Sequence, residues 1–103
     1  GVIVLKLNAR YYGFFSTLTK KLNESLEIGD HCSVSDLIEK LTGVYGFKFR
    51  KHCYIRPLYS EKDYLNVYIN TLDLNNLKFF PEGVNTLLKD GDTVTFGAVG
   101  GAA

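Results

Sequence analysis

The sequence predicts an α+β roll, in which one main helix covers one face of a small mixed sheet of four to five strands. Three observations carry this: period-two apolar runs near both ends of the chain, one well-capped amphipathic helix between them, and too little length for a second domain. At 103 residues a single core is feasible, whereas two would each be marginal. Apolar residues make up 46% and charged residues 22%, a globular balance that excludes a disordered or collagen-like chain. Twelve Lys and Arg oppose eleven Asp and Glu, so there is no net field to draw in a polyanion or an acidic membrane. With no membrane-length apolar run and no opening signal segment, the expectation is a soluble, cytoplasmic protein.

The elements follow in order. In Val2-Ile3-Val4-Leu5-Lys6-Leu7-Asn8, Ile3, Leu5 and Leu7 share one face of a strand, with Val2, Val4, Lys6 and Asn8 on the other. Tyr11-Tyr12-Gly13-Phe14-Phe15 reads as a turn packed over the core rather than a stacking platform for bases, because only Arg10 lies close before it. A second strand spans Leu22 to Ile28, with Leu22, Leu26 and Ile28 in phase, so the two strands make a hairpin with a long loop. Ser33 caps the helix with Asp36 three residues on. Val34, Leu37, Ile38 and Leu41 form its buried stripe, and Gly43 or Gly46 ends it. Tyr64 to Asn70 alternates again, with Leu65, Val67 and Ile69 inward, and a short Leu72–Leu74 stretch follows. The polar turn Lys89-Asp90-Gly91-Asp92 leads into the last strand, Thr93-Val94-Thr95-Phe96, with Val94 and Phe96 inward. Residues 1–96 therefore form the domain, 44–63 an enlarged loop within it, and 97–103 a flexible tail.

Sites of independent chemistry are scarce. His31-Cys32 and His52-Cys53 hold four zinc-capable side chains, but neighbours on an extended chain point apart and the spacing offers no compact knuckle. A Cys–His nucleophile needs an imidazole aimed at the thiol, which a sequence neighbour rarely is, and no third orienting group suggests itself. The expectation is no metal, no bound cofactor and no catalytic residue. Lys48, Arg50, Lys51, His52 and Arg56 alternate with Phe47, Phe49 and Tyr54, the nearest thing to an RNA patch, yet a solvated loop with aromatic anchors accounts for them.

The stretch Leu87-Leu88-Lys89-Asp90-Gly91-Asp92-Thr93-Val94, followed by Gly100-Gly101 and preceded by Ser33-Val34-Ser35-Asp36-Leu37-Ile38, resembles the ubiquitin-like sulfur carriers and modifiers. These are MoaD (the small subunit of molybdopterin synthase, a sulfurtransferase), ThiS, the ubiquitin-related modifier and the archaeal ubiquitin-like modifiers. The resemblance implies a β-grasp fold whose first and last strands are parallel neighbours at the sheet centre. It further implies a carrier with no active site of its own. A ubiquitin-activating-type enzyme uses ATP to adenylate the terminal glycine carboxylate. That carboxylate then becomes a thiocarboxylate or joins a target lysine through an isopeptide bond. Gly101 would supply the carboxylate and Gly100 the thin approach, since residues without a Cβ thread a narrow channel most easily. Two departures stand out: Gly97-Ala98-Val99 replaces the proline-rich approach common in the family, and Ala102-Ala103 follows the glycines. The second implies cleavage between Gly101 and Ala102 by a zinc-dependent JAMM-type protease.

The pairing implied by the resemblance places Thr93 and Thr95 on the outer sheet face, between Val2, Val4 and Lys6 on one side and Tyr64 and Tyr68 on the other. Together with Phe96 and Val99 on the approach to the tail, these residues are the expected docking surface for the activating enzyme, the molybdopterin-synthase large subunit or a target protein. The alternative is a non-covalent protein- or RNA-binding module on the same fold.

Overall fold

Strand β1, Val4–Tyr11, shows why the chain folds as it does. Leu7, Ala9 and Tyr11 are buried on its inner face, while Lys6 and Arg10 reach solvent on the other. The computed structural model describes residues 3–97. The expectations placed on Val2, Val99, Gly100, Gly101 and Ala102 lie outside the described residues.

Between the first two strands the structure departs from a plain hairpin loop. Gly13, at φ 57°, starts a short helix α1, Phe14–Thr19, whose i, i+4 pair Phe15 and Thr19 faces the core. Six residues are too few to show a helical period against an aromatic, β-branched background. Strand β2, Asn23–Gly29, pairs antiparallel with β1, Leu7 opposite Leu26. Leu22 falls before it and is 74% exposed, so only Leu26 and Ile28 of the expected face turn inward.

Helix α2, Val34–Tyr45, has the cap its sequence encodes. The Asp36 N–H donates to Ser33 Oγ at 3.1 Å, and the Ser33 N–H donates to Asp36 Oδ2 at 3.0 Å. Val34, Leu37, Ile38 and Leu41 are all buried, and Gly46 at φ 97° ends the helix.

Residues 44–63 are not one enlarged loop. A third helix, α3, spans Phe47–Cys53 and buries Phe49 and Cys53 one turn apart. Strands β3 (Tyr54–Ile55) and β4 (Tyr64–Leu65) pair antiparallel beside the main sheet. Phe47 and Phe49 mimic strand alternation, yet Phe47 is 70% exposed and the buried pair has helical spacing. Strands β5 (Val67–Ile69), β6 (Leu72–Asp73) and β7 (Thr93–Phe96) complete a five-stranded sheet ordered β2-β1-β7-β5-β6. β7 pairs parallel with β1 and antiparallel with β5, so the last strand lies at the centre.

An aromatic cluster fills the core beneath β7. Phe96 lies 5.0 Å from Phe49 and 5.8 Å from Tyr11 between ring centroids, and Phe15 lies 5.1 Å from Phe49. Phe96 is fully buried and is thereby removed from the docking surface: its ring fills the core at the place where β7 ends.

Candidate functional site

The region to which the sequence directs attention is the final strand and the point where the chain leaves it. The Asp90-Gly91-Asp92 turn fixes where β7 begins. Lys6 N–H donates to Asp90 Oδ1 at 2.8 Å, and Gly91 N–H donates to the Lys6 carbonyl at 2.7 Å. Asp92 accepts from the Lys89 N–H and from Asn70 Nδ2, at 2.8 and 2.9 Å. Asn70 Oδ1 in turn accepts the Thr93 N–H at 2.9 Å. Gly91 takes φ 86° to complete the turn. At the other end, Tyr12 N–H donates to the Phe96 carbonyl at 2.9 Å and Gly97 N–H donates to the Asn66 carbonyl at 3.1 Å.

The outer face around this strand is assembled by the observed register. Thr93 is flanked by Asn8 on β1, and Thr95 by Arg10 on β1 and Tyr68 on β5. Thr95 is only 6% exposed, in the row between those two larger side chains. Tyr64 donates to Asp73 Oδ2 at 3.4 Å, and hydrogen bonding with Tyr68, burial and the Asp73 carboxylate push its phenol upward. The Arg10 guanidinium stands 5.5 Å from the Tyr12 ring centre. Val4 is elsewhere: it pairs with Gly29, six residues and about 20 Å along β1 from Arg10. β7 pairs with the second half of β1 rather than the first, which corrects the expectation that Val4 and Lys6 flank the threonines.

The other candidate chemistry disperses. Cys53 is completely buried, and burial pushes its thiol well above the ordinary range. The His52 ring stacks on Phe14 with centroids 3.8 Å apart, its Nδ1 lying 2.8 Å from the Lys48 carbonyl. Cys32 is half-buried, with burial and then the nearby Asp36 charge raising its thiol, while His31 sits in an exposed turn beside Asp30. Among the described residues no three His, Cys, Asp or Glu side chains gather as a metal site. Within the basic stretch, Arg50 pairs with Glu39, and Arg56 with Asp63 at 2.9 Å. No helix among the described residues is long and apolar enough to cross a membrane.

Sequence reasoning missed one polar cluster. Tyr11 and Tyr45 each donate to Glu24 Oε1 at 2.6 Å, and Lys21 Nζ reaches Glu24 Oε2 at 2.9 Å and the Tyr45 hydroxyl at 3.1 Å. Burial alone would raise the Glu24 carboxyl, but hydrogen bonds from Lys21, Tyr11 and Tyr45 outweigh it and hold the group below its usual range. These bonds tie β1 and β2 to the end of α2, behind the aromatic cluster beneath β7. A signal for them would have required knowing that Tyr11 belongs to β1.

Parallel β1 and β7 at the centre of a mixed sheet, with α2 packed on one face, define a β-grasp, ubiquitin-like fold. Solved structures with this fold match the chain along most of its length. The HVO 2177 protein of Haloferax volcanii superimposes with a TM-score of 0.71 at 21% identity, over 95% of this chain and 88% of its own. The protein described as molybdopterin converting factor, subunit 1, of Pyrococcus furiosus gives 0.65 at 25% identity, over 88% and 93%. Small archaeal modifier protein 1 of Methanosarcina acetivorans gives 0.63 at 22% identity, over 96% and 99%. The structural neighbours are thus ubiquitin-like archaeal modifiers and a MoaD-like protein. No family model and no curated protein matches the sequence.

Proposed function

We propose that this chain is a ubiquitin-like sulfur carrier or protein modifier whose reactive group is the Gly101 carboxylate. The observation that supports it is the central β7 strand, pinned at both ends and followed within a few residues by Gly100-Gly101. The neighbours described as a molybdopterin converting factor subunit and an archaeal modifier favour the same reading. In this reading a JAMM-type protease hydrolyses the Gly101–Ala102 peptide bond and exposes the carboxylate. Within an activating enzyme, a carboxylate oxygen attacks the α-phosphorus of ATP. An acyl–phosphate bond forms, the α–β anhydride breaks and pyrophosphate leaves. A sulfur nucleophile or a lysine amine then attacks the acyl carbon and displaces AMP, giving a thiocarboxylate or an isopeptide bond. The chain is the substrate, and the outer-face residues Thr93, Tyr64, Tyr68 and Arg10 dock the partner around the buried Thr95. One such partner is the large subunit of a molybdopterin synthase.

Intact mass spectrometry tests the sequence of steps. Incubation with a JAMM-type protease should remove two alanines. The trimmed chain with activating enzyme, ATP and a sulfur donor should then gain the mass of one sulfur-for-oxygen exchange. A chain ending at Gly101 that is neither adenylated nor thiolated sinks the reading.

The outer-face tyrosines beside Arg10 also suit a non-covalent binding module, which predicts that deleting Gly100 to Ala103 leaves function intact.

A further inference from the structure

Gly97 differs from every other described glycine. A Cβ built on it would stand 2.6 Å from the Tyr12 carbonyl oxygen, 3.2 Å from that carbonyl carbon and 3.3 Å from Phe15 Cδ2, while the others have nothing within 4 Å. The obstacle is main chain, so no rotamer change relieves it. Gly97 also takes φ +98°, a conformation L-residues rarely adopt. Its N–H is engaged by the Asn66 carbonyl, and the Phe96 carbonyl before it by the Tyr12 N–H. The chain is therefore held from both flanking segments at the residue where it leaves the sheet, in a geometry reserved for glycine.

We propose that Gly97 is a positioning residue: it sets the heading on which the chain leaves β7 and so aims the terminal carboxylate at its activating site. This rests on the functional reading above. Its requirement for glycine is one of handedness and close approach, distinct from the thinness asked of Gly100 and Gly101. The lever is short. Four residues from Gly97 to Gly101 reach at most about 14 Å, so the point and heading of departure from β7 bound where the terminal carboxylate can go. A displacement of even about 1 Å at a reacting group can cost about 100-fold in rate.

The test uses chains ending at Gly101, assembled chemically from three segments joined at Cys32 and Cys53, with glycine, L-alanine or D-alanine at position 97. D-alanine tolerates positive φ and carries its methyl in place of the other Cα hydrogen, not at the position 2.6 Å from the Tyr12 oxygen. A paramagnetic label at the terminus reads the heading directly, through the amides it broadens. Steady-state adenylation reads the consequence. Gly97→Ala should shift the broadened set and lower kcat about 10- to 100-fold with KM held, because docking through the sheet face is unchanged. D-alanine should restore both the broadened set and kcat. An unchanged label pattern for Gly97→Ala, or equal losses for both alanines, overturns the proposal. If L-alanine prevents folding, the D-alanine chain decides: a label pattern unlike that of the glycine chain overturns it. If even the glycine chain is not adenylated, the functional reading fails, and the label pattern alone still settles what Gly97 does.

Discussion

The two ends of β7 are fastened in different ways. At its start, side chains add to the main-chain bonds: Asp90 and Asp92 carboxylates and the Asn70 amide bind main-chain groups of β1, of the turn and of β7. At its finish the hydrogen-bond partners are main-chain groups, the Tyr12 N–H and the Asn66 carbonyl, and two residue types matter: the glycine for its backbone geometry and Phe96 for the ring packed beneath. The first kind of anchor is written in residue identities and can be lost by many substitutions. The second takes its hydrogen bonds from the main chain and depends on side chains only through the packing beneath it.

Substitutions should separate these contributions. Phe96→Ala removes the ring that secures the finish from beneath, and should cost about 3–5 kcal/mol by chemical denaturation. A loss below about 1 kcal/mol would mean that the aromatic cluster does not hold this end. Asp92→Ala leaves the Lys89 N–H and the Asn70 amide unpartnered at the partly exposed start, and should cost about 1–2 kcal/mol. Hydrogen exchange should accelerate at Thr93 while Gly97 is unaffected, if the two anchors are independent.

Glu24→Gln probes the layer behind the finish and should cost about 1 kcal/mol near neutral pH. Because the Glu24 pKa is depressed in the folded state, its contribution is fully present above the unfolded carboxylate range, near pH 4.5, and lost as pH falls through the lower folded value. Thermal melts between pH 7 and 3 should show a shallower acid limb for the variant. Parallel acid limbs would remove Glu24 from the account.

The same contrast explains what the sequence made legible. The Asp-Gly-Asp turn, the Ser33–Asp36 cap and the Val34, Leu37, Ile38, Leu41 stripe are side-chain signals at fixed spacing, and the structure places them as read. The sheet centre, too, follows the expectation drawn from the family resemblance. What could not be read depends on partners distant in sequence. α3 hid because Phe47 and Phe49 look like alternation until Phe49 and Cys53 are known to face the same core. Tyr68 flanks Thr95 as expected, but on β1 the neighbours are Asn8 and Arg10 instead of Val4 and Lys6, because which half of β1 meets β7 is settled by pairing between the two ends of the chain. Phe96 lies inward, as alternation requires, and for that reason serves packing instead of docking.

The place of β7 has a consequence for biosynthesis. The strand that joins β1 to β5 is the last strand of the described chain, so a nascent polypeptide lacking residues 93–96 holds two halves of a sheet with nothing between them. Pairing across so long a sequence separation comes late and only when the whole chain is available. An incomplete product therefore cannot present a folded outer face, and a partner docking there under the proposed function would inspect, in the same contact, whether synthesis has run through to the strand that precedes the glycines.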